Sequence, residues 1–372
     1  MSSEDSAPSS SSSSARRVLI AGASGIVGRA AFDLFAGSPG WEAVGVSRRA
    51  PDLDVGTHFP LDLLDREACL RTLSATSGFT HVVYAALQEK PGLVEGWFDT
   101  ELMETNRRML ENLLDGVSAG GSLEHVSLLQ GTKAYGAHLG RMRVPGRERE
   151  ARHAHENFYW LQEDLLRARA RRDDFAWTVW RPPVIYGHAF GAPMNPIAPL
   201  VTYAAIAKHE GRALSWPGGR TGPVDAMDAR LLARALRWGA TAGAARDEIF
   251  NISNGDVFVW ENIWSSIAAA MGMEVGDPTP LRLAESMPGK AGVWDEIVAQ
   301  HALRAPGLME FVGDSFVYLD LHLGLGREDS APPNMLSTIK LRQAGFDGCI
   351  DSEDMIVEWI HWMQRERLIP PA

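Results

Sequence analysis

Two residues of this chain, a tyrosine and a lysine, are of the types that stabilise a negatively charged oxygen. Tyr159 lies at the start of a predicted helix, in residues 157–164 (NFYWLQED), and Lys133 follows a predicted strand, in residues 130–136 (QGTKAYG). A phenol can donate a hydrogen bond to an oxyanion, but its ordinary pKa near 10 makes it a weak acid at neutral pH. A nearby ammonium favours the phenolate and strengthens the donor. If the two segments converge, they form a catalytic pair.

The lysine is notable because the chain contains only five: Lys90, Lys133, Lys208, Lys290 and Lys340. Of these, Lys133 alone follows a predicted sheet strand, at the carboxyl edge where α/β folds bind ligands. The alternative is a solvated loop lysine without a catalytic role.

A nucleotide site is predicted near the beginning of the chain. Residues 22–28 (GASGIVG) carry three glycines between a predicted strand and a predicted helix. Such glycines permit a tight turn, close approach of a pyrophosphate and close packing of strand on helix, while the helix N-terminus supplies N–H donors. Simple turn glycines are the alternative. The residues expected to bind the cofactor here are Gly22, Ser24, Gly25, Ile26, Val27 and Gly28.

The end of the second predicted strand indicates which dinucleotide binds. Ser47, Arg48 and Arg49 occupy the position where an NAD site presents Asp or Glu to the ribose 2′-hydroxyl. Two guanidinium groups suit a 2′-phosphate instead, so the predicted cofactor is NADPH. A solvated arginine pair is the alternative. Weaker cofactor predictions are Asp62 and Leu63 at the adenine, Ala85 and Ala86 at the nicotinamide-side ribose, and Val184.

Strands alternating with helical segments predict an α/β fold: a Rossmann-type, doubly wound parallel sheet with a smaller, mostly helical C-terminal substrate cap. The nucleotide domain is expected over residues 16–188, completed by about 223–260, and the cap over 189–222 and 261–372. Residues 1–15 form a Ser-rich tail expected to be disordered. The expected apolar pocket wall consists of Tyr135, Phe190, Trp216 and Trp294.

Eight segments together resemble the progesterone 5β-reductase/iridoid synthase-like (PRISE) family of atypical extended short-chain dehydrogenases. In order, they are GASGIVGR, SRR, LLQGTKAYG, ENFYWLQEDLL, WRPPVIYG, FNISNGDVFVWENIW, VWDEIV and ERLIP, and they span about residues 17–370. Typical short-chain dehydrogenases place a lysine four residues after the tyrosine, where this chain has Glu163. The resemblance implies that Lys133 is the relocated lysine and Tyr159 the catalytic tyrosine.

The resemblance also implies the activity: NADPH-dependent reduction of the activated C=C bond of enones or enals. In this mechanism Tyr159 and Lys133 hold the enolate, and the α-carbon takes its proton from solvent. Trp160 replaces the second tyrosine usual in the motif. The short loop between residues 133 and 159 resembles a bacterial branch.

Two rival functions share the scaffold. One is an NADPH-dependent carbonyl reductase or a sugar-nucleotide epimerase/dehydratase, although the serine–arginine–arginine turn and Glu163 argue against an epimerase. The other is a non-catalytic NADP sensor, which the retained Tyr159 disfavours.

Composition and residue spacing argue against three classes of partner: nucleic acid, metal ions and membranes. A net charge of −11 disfavours nucleic acid. Cys69 and Cys349 lack metal-site spacing, and His153 with His155 lacks a matching third ligand, so no metal is expected. No apolar run is long enough to cross a membrane. A cytoplasmic enzyme acting on a small carbonyl compound is expected, with a homodimer left open.

Overall fold

A computed structural model describes residues 16–327, 329 and 332–372. The predicted Ser-rich tail, residues 1–15, lies outside the described residues. The strands are β1 (Arg16–Ala21), β2 (Trp41–Ser47), β3 (Thr57–Pro60), β4 (His81–Tyr84), β5 (His125–Leu129), β6 (Ala176–Arg181), β7 (Val184–Tyr186), β8 (Leu214–Ser215), β9 (Ala226–Asp228), β10 (Glu248–Asn251) and β11 (Val275–Gly276).

The α-helices lie between and after these strands. They are α1 (Ile26–Ala36), α2 (Arg66–Ala75), α3 (Thr100–Ser118), α4 (Phe158–Asp173), α5 (Ile197–His209), α6 (Ala229–Gly239), α7 (Trp260–Ala270), α8 (Leu283–Ser286), α9 (Ala291–His301), α10 (Leu308–Val312), α11 (Ser315–His322), α12 (Ile339–Gln343) and α13 (Ser352–Arg365).

The central sheet has seven parallel strands in the order β10-β6-β5-β4-β1-β2-β3. The chain adds β2 and β3 on one side of β1 and the later strands on the other, so the strand order reverses between β1 and β4. Ligands bind at the carboxyl ends of the strands beside such a reversal. The predicted Rossmann-type sheet is therefore confirmed, and it opens a crevice next to the glycine turn.

Helices cover both faces of this sheet. Helices α2, α3 and α4 enclose one apolar core and helices α1 and α6 enclose the other. Strand β6 is buried along its whole length, which is why apolar residues follow one another in its sequence (AWTVWR) rather than alternating with polar ones.

The C-terminal part is mostly helical and has a core of its own. Helices α5, α7, α9, α11 and α13 contribute buried side chains to one cluster. Helix α5 is buried from Ile197 to Ala207, as expected for a helix that is apolar on all sides. Among the described residues, no helix is both long and apolar enough to cross a membrane.

Two differences from the predicted elements concern the crevice. Residues 81–86 (HVVYAA) predict a strand over their whole length, but β4 ends at Tyr84, because Ala85 and Ala86 leave the sheet and line the crevice. Strand β3 was not predicted: it is a four-residue edge strand, only partly buried, and so lacks the apolar signature of the inner strands.

Candidate active site

The crevice at the carboxyl ends of the sheet is a cavity of about 630 Å³. Most of the predicted cofactor residues line it: Gly22, Ser24, Gly25, Ile26, Val27, Ser47, Arg48, Arg49, Asp62, Leu63, Ala85, Ala86 and Val184. Gly28 is the exception. It lies beneath the turn, where a Cβ atom would come within 2.0 Å of the Gly22 carbonyl oxygen.

The glycine turn leaves room for a phosphate group. Gly22 has a φ of +82°, and a side chain there would meet the Ala85 backbone at 2.8 Å. No side chain caps the N-terminus of α1, since the N-cap residue is Gly25. The free N–H groups of the first turn, with the positive end of the helix dipole, suit a pyrophosphate. These residues fit a dinucleotide.

Both arginines of the turn after β2 are exposed at the cavity wall. Within the described part of the chain, neither pairs with a carboxylate; Arg49 Nη2 only donates a 3.4 Å hydrogen bond to the Phe190 carbonyl oxygen. Two guanidinium groups without a carboxylate partner are suited to a phosphate monoester.

A network that the sequence did not reveal holds this arginine turn in place. Arg29 Nε lies 2.6 Å and His188 Nε2 2.8 Å from the Asp52 carboxylate. Burial alone would raise the pKa of Asp52, but the hydrogen bonds and charges of His188 and Arg29 lower it to about 2. The ionised carboxylate ties α1, the turn after β2 and the segment after β7 together.

Lys133 and Tyr159 lie in the same cavity. Lys133 belongs to a single 3₁₀ turn, Thr132–Tyr135, directly after β5, and Tyr159 to the first turn of α4. The Lys133 Nζ lies 5.8 Å from the centroid of the Tyr159 ring. The structure therefore brings together the two groups that the sequence selected.

One side chain links the two segments. Asn157 Oδ1 accepts a 3.0 Å hydrogen bond from the Tyr159 backbone N–H, and its Nδ2 donates a 3.2 Å hydrogen bond to the Lys133 carbonyl oxygen. The tyrosine hydroxyl passes close over Gly131, where an added Cβ would be 3.1 Å from it. Asn157 precedes the helix as an N-cap, so its sequence position was a readable signal.

The lysine is enclosed by aromatic rings. Its Nζ lies 4.6 Å from the centroid of Trp97 and 5.4 Å from that of Phe158. Burial lowers the pKa of Lys133 to about 8, against a partial opposing effect of the Glu89 carboxylate. The group is still mostly cationic at pH 7.

The effect on the tyrosine differs from the prediction. We expected the ammonium to favour the phenolate, but burial, with a contribution from Glu89, raises the pKa of the Tyr159 phenol instead. Tyr159 is therefore protonated at neutral pH, and it acts as a hydrogen-bond donor rather than as a preformed anion.

Glu163, at the position where typical short-chain dehydrogenases have lysine, is buried behind the site. Its carboxylate contacts Arg152 and Arg167 at 2.9 Å and Gln130 at 3.1 Å, and Arg181 at 3.5 Å. Burial would raise its pKa, but these partners lower it. The carboxylate thus anchors α4 rather than facing the substrate.

Three of the four predicted pocket residues lie elsewhere, and only Phe190 lines the cavity. Tyr135 donates a 2.6 Å hydrogen bond to Asn251 beneath the site. Trp216 packs edge-on against Trp264, and Trp294 stacks on a phenylalanine in the helical core. Trp160 packs against Arg152 and Arg181, away from the cavity lining.

The residues that the sequence analysis missed are Trp97, Tyr318 and Glu89, all of which line the cavity. Each lies on a connection or in the cap, outside any recognisable motif. Among the described residues, no group of three or more His, Cys, Asp or Glu side chains is placed to hold a metal ion.

Comparisons with known proteins show the family of the chain. The model of the NAD dependent epimerase/dehydratase family matches residues 18–253. The chain is 32% identical over 378 residues to a 3-oxo-Delta(4,5)-steroid 5-beta-reductase of Arabidopsis thaliana, covering 95% of this chain and 92% of that protein. It is 31% identical over 375 residues to an (S)-8-oxocitronellyl enol synthase of Catharanthus roseus, covering 95% and 92%.

Among solved structures, the UDP-glucose 4-epimerase of Thermus thermophilus in complex with NAD is similar, with a TM-score of 0.63. It is 17% identical and covers 93% of this chain and 99% of its own, which shows the fold alone. The relatives named above are plant proteins, so assignment to a bacterial branch stays a prediction. The family match and the similarity to a reductase show that this protein is an NAD(P)-dependent oxidoreductase. The chain belongs to the NAD dependent epimerase/dehydratase family, in the group of these plant reductases and enol synthases.

Proposed function

We propose that this enzyme uses NADPH to reduce the activated C=C bond of an enone or enal, giving the saturated carbonyl compound. The observation that carries the proposal is the meeting of the Lys133 ammonium and the Tyr159 phenol in one cavity with the nucleotide turn. The name of the Arabidopsis relative describes the reduction of an enone, since its substrate has a ketone conjugated with a double bond.

The choice of NADPH over NADH rests on Arg48 and Arg49. A 2′-phosphate placed between them would gain charge-assisted hydrogen bonds, each contributing about 1.5–3 kcal/mol. NADH would leave both guanidinium groups in water, where they cost nothing. The two arginines therefore support a preference for the phosphorylated cofactor.

The two catalytic groups act on the substrate carbonyl oxygen. The Tyr159 hydroxyl, protonated at neutral pH, donates a hydrogen bond to this oxygen, and the buried Lys133 charge stabilises the negative charge that develops on it. Bound nicotinamide supplies the hydride that the electron-poor β-carbon accepts. The product of this step is an enolate, and the same pair holds it.

The aromatic wall strengthens both interactions. Trp97 and Phe158 lie next to the ammonium and keep water from screening it. In a site with little water, a fixed positive charge stabilises an oxyanion more than it would in solution. Apolar neighbours also suit a substrate whose remaining surface is hydrocarbon.

The experiment is a screen of NADPH oxidation against cyclic and acyclic enones and enals, followed by product analysis. A saturated carbonyl product supports conjugate reduction. An allylic alcohol would instead establish carbonyl reduction and refute the proposal. NADPH binding without turnover of any compound would favour a sensor.

A further inference from the structure

A carboxyl group stands in the cavity beside the candidate pair. Glu89 lies on the connection between β4 and α3, and it lines the same cavity as Lys133, Tyr159 and Tyr318. Its Oε1 is sealed from solvent and has no hydrogen-bond partner among the described residues. Leaving a buried polar atom unpaired destabilises a fold by about 1–3 kcal/mol. Folding alone therefore gives no reason for this carboxyl group to be here.

The backbone next to Glu89 is held rigidly. Asn106 of α3 is 1% exposed, and its side-chain amide accepts from the Gln88 N–H and donates to the Gln88 carbonyl oxygen, both at 2.9 Å. The Gln88 side chain donates a 3.3 Å hydrogen bond to the Glu89 carbonyl oxygen. The double contact of Asn106 with Gln88 fixes the segment that carries the carboxyl group relative to α3.

The surroundings of Glu89 make it hold its proton more strongly than an ordinary carboxyl group does. Burial raises the pKa of the carboxyl group, and the Lys133 charge offsets this only in part. Burial raises the pKa of both Tyr159 and Tyr318, and an ionised Glu89 raises it further, so Glu89 lies within electrostatic reach of each phenol. A negative charge that develops on a substrate held by Tyr159 acts on Glu89 in the same way, and makes it hold a proton more readily.

We propose that Glu89 is the acid that delivers the proton to the α-carbon of the substrate. The proposal rests on the function proposed above. Once the β-carbon has accepted the hydride, the former π electrons of the C=C bond lie in the enolate. An enolate electron pair forms the new α-carbon–hydrogen bond with the carboxyl proton of Glu89. The O–H bond of Glu89 breaks, and the C=O bond forms again.

The step leaves a carboxylate, which takes up a proton from water that re-enters the cavity after the product has left. It replaces direct protonation by solvent, which the sequence led us to expect. The Tyr318 phenol is the rival donor in the same cavity. Burial raises its pKa above the ordinary value of 10, so it is a much weaker acid than a carboxyl group.

The test is the handedness of the product at the α-carbon. The probe is a cyclic enone that carries a methyl group on its α-carbon, so that protonation creates a stereocentre. We expect the wild-type enzyme to give one enantiomer. Glu89→Gln keeps the shape but has no acidic proton. It should lower turnover about a hundredfold, the usual contribution of a general acid, and give nearly equal amounts of both enantiomers.

Three further variants separate the proton step from other effects. Glu89→Asp keeps a carboxyl group and should retain the handedness at a lower rate. Glu95→Gln makes the same chemical change at an exposed site on the same connection, and should leave rate and handedness unchanged. Tyr318→Phe should keep the handedness. With a deuterated nicotinamide, the face of hydride delivery to the β-carbon should be the same in all variants.

Several outcomes would overturn the assignment. The first is a Glu89→Gln enzyme that keeps the wild-type rate and gives one enantiomer at the α-carbon. The second is loss of this selectivity in Tyr318→Phe alone. The third is a wild-type enzyme that gives both enantiomers. A wild-type enzyme that reduces no enone would refute the proposed function itself, and the role of Glu89 with it. Normal enone reduction with unaltered Glu89→Gln stereochemistry would refute the role of Glu89 alone.

Discussion

The buried Lys133 ammonium should make this protein less stable than the same fold without it. Burial lowers the pKa of Lys133 from its ordinary value of 10.5 to about 8. At about 1.36 kcal/mol per pKa unit, the folded state disfavours the charged form by about 3 kcal/mol. Because the folded pKa is the lower one, the unfolded chain binds more protons between about pH 8 and pH 10.5. Wild-type stability therefore gains from this group as the pH rises through that window, and below it the full penalty remains.

The perturbation is Lys133→Met, which keeps a long flexible side chain and removes the charge. The pKa of about 8 already includes the attraction of Glu89, but the variant also loses the contacts of the ammonium with three aromatic rings. We therefore expect a net gain of about 1–3 kcal/mol in the free energy of unfolding at pH 7. The difference in the free energy of unfolding between Lys133→Met and wild type should become smaller as the pH approaches 10.5.

The assay is urea unfolding of both proteins at pH 7 and near pH 10.5. The dependence of the free energy of unfolding on urea concentration should be the same for both proteins, so that a shift of the midpoint reports a change in stability. Lys290→Met is the matched control, since its ammonium lies at the surface, 2.7 Å from Glu210, and it should give no gain. A Lys133→Met protein that is less stable than wild type at pH 7 would refute the reasoning. It would mean that the contacts with the aromatic rings more than offset the net cost of burying the charge.

Three other predictions follow from single contacts. Arg48→Ala or Arg49→Ala should weaken NADPH binding about 10–100-fold in a fluorescence titration and leave NADH binding unchanged. Equal losses of affinity for both cofactors would refute recognition of the 2′-phosphate by these arginines. Asn157→Ala should cost about 1–3 kcal/mol of stability and reduce turnover. Asn157→Ser keeps a helix-capping oxygen, so it should recover stability but not turnover. Recovery of both would show that the contact with the Lys133 segment does not matter. Glu163→Leu should cost about 3–5 kcal/mol in urea unfolding, because the buried Arg181 and the partly exposed Arg152 and Arg167 lose their carboxylate partner. Loss of the exposed Asp164 carboxylate in Asp164→Asn should cost at most about 1 kcal/mol; similar losses would contradict the ranking.

Local patterns were sufficient for most of the nucleotide half of the fold. The apolar strand that ends in glycines, followed by helical spacing, predicted β1 and α1, and both lie at the crevice. Such elements are readable because their own burial dictates their composition. Strand β3 and the short helices of the cap were missed, since their positions depend on the surfaces they pack against.

The residues of the candidate active site also fall into those that local sequence marked and those that only the fold reveals. Lys133 and Tyr159 stood out because a motif or a rare residue type marked them. Glu89, Tyr318 and Trp97 did not, because they lie on two distant segments, the connection between β4 and α3 and helix α11, which only the fold brings to one cavity. The pKa of Tyr159 was also out of reach, since it depends on burial and on Glu89 rather than on the lysine alone.

The central claim is that the Tyr159 phenol and the Lys133 ammonium act together on one substrate oxygen. The measurement that tests it most directly is a double-mutant cycle on enone turnover with Tyr159→Phe, Lys133→Met and the combined variant. We predict that each single change lowers turnover about a hundredfold, that NADPH binding persists in all three, and that the combined loss is little greater than either single loss. Unchanged turnover in a single variant, or losses that multiply in the combined one, would contradict the claim.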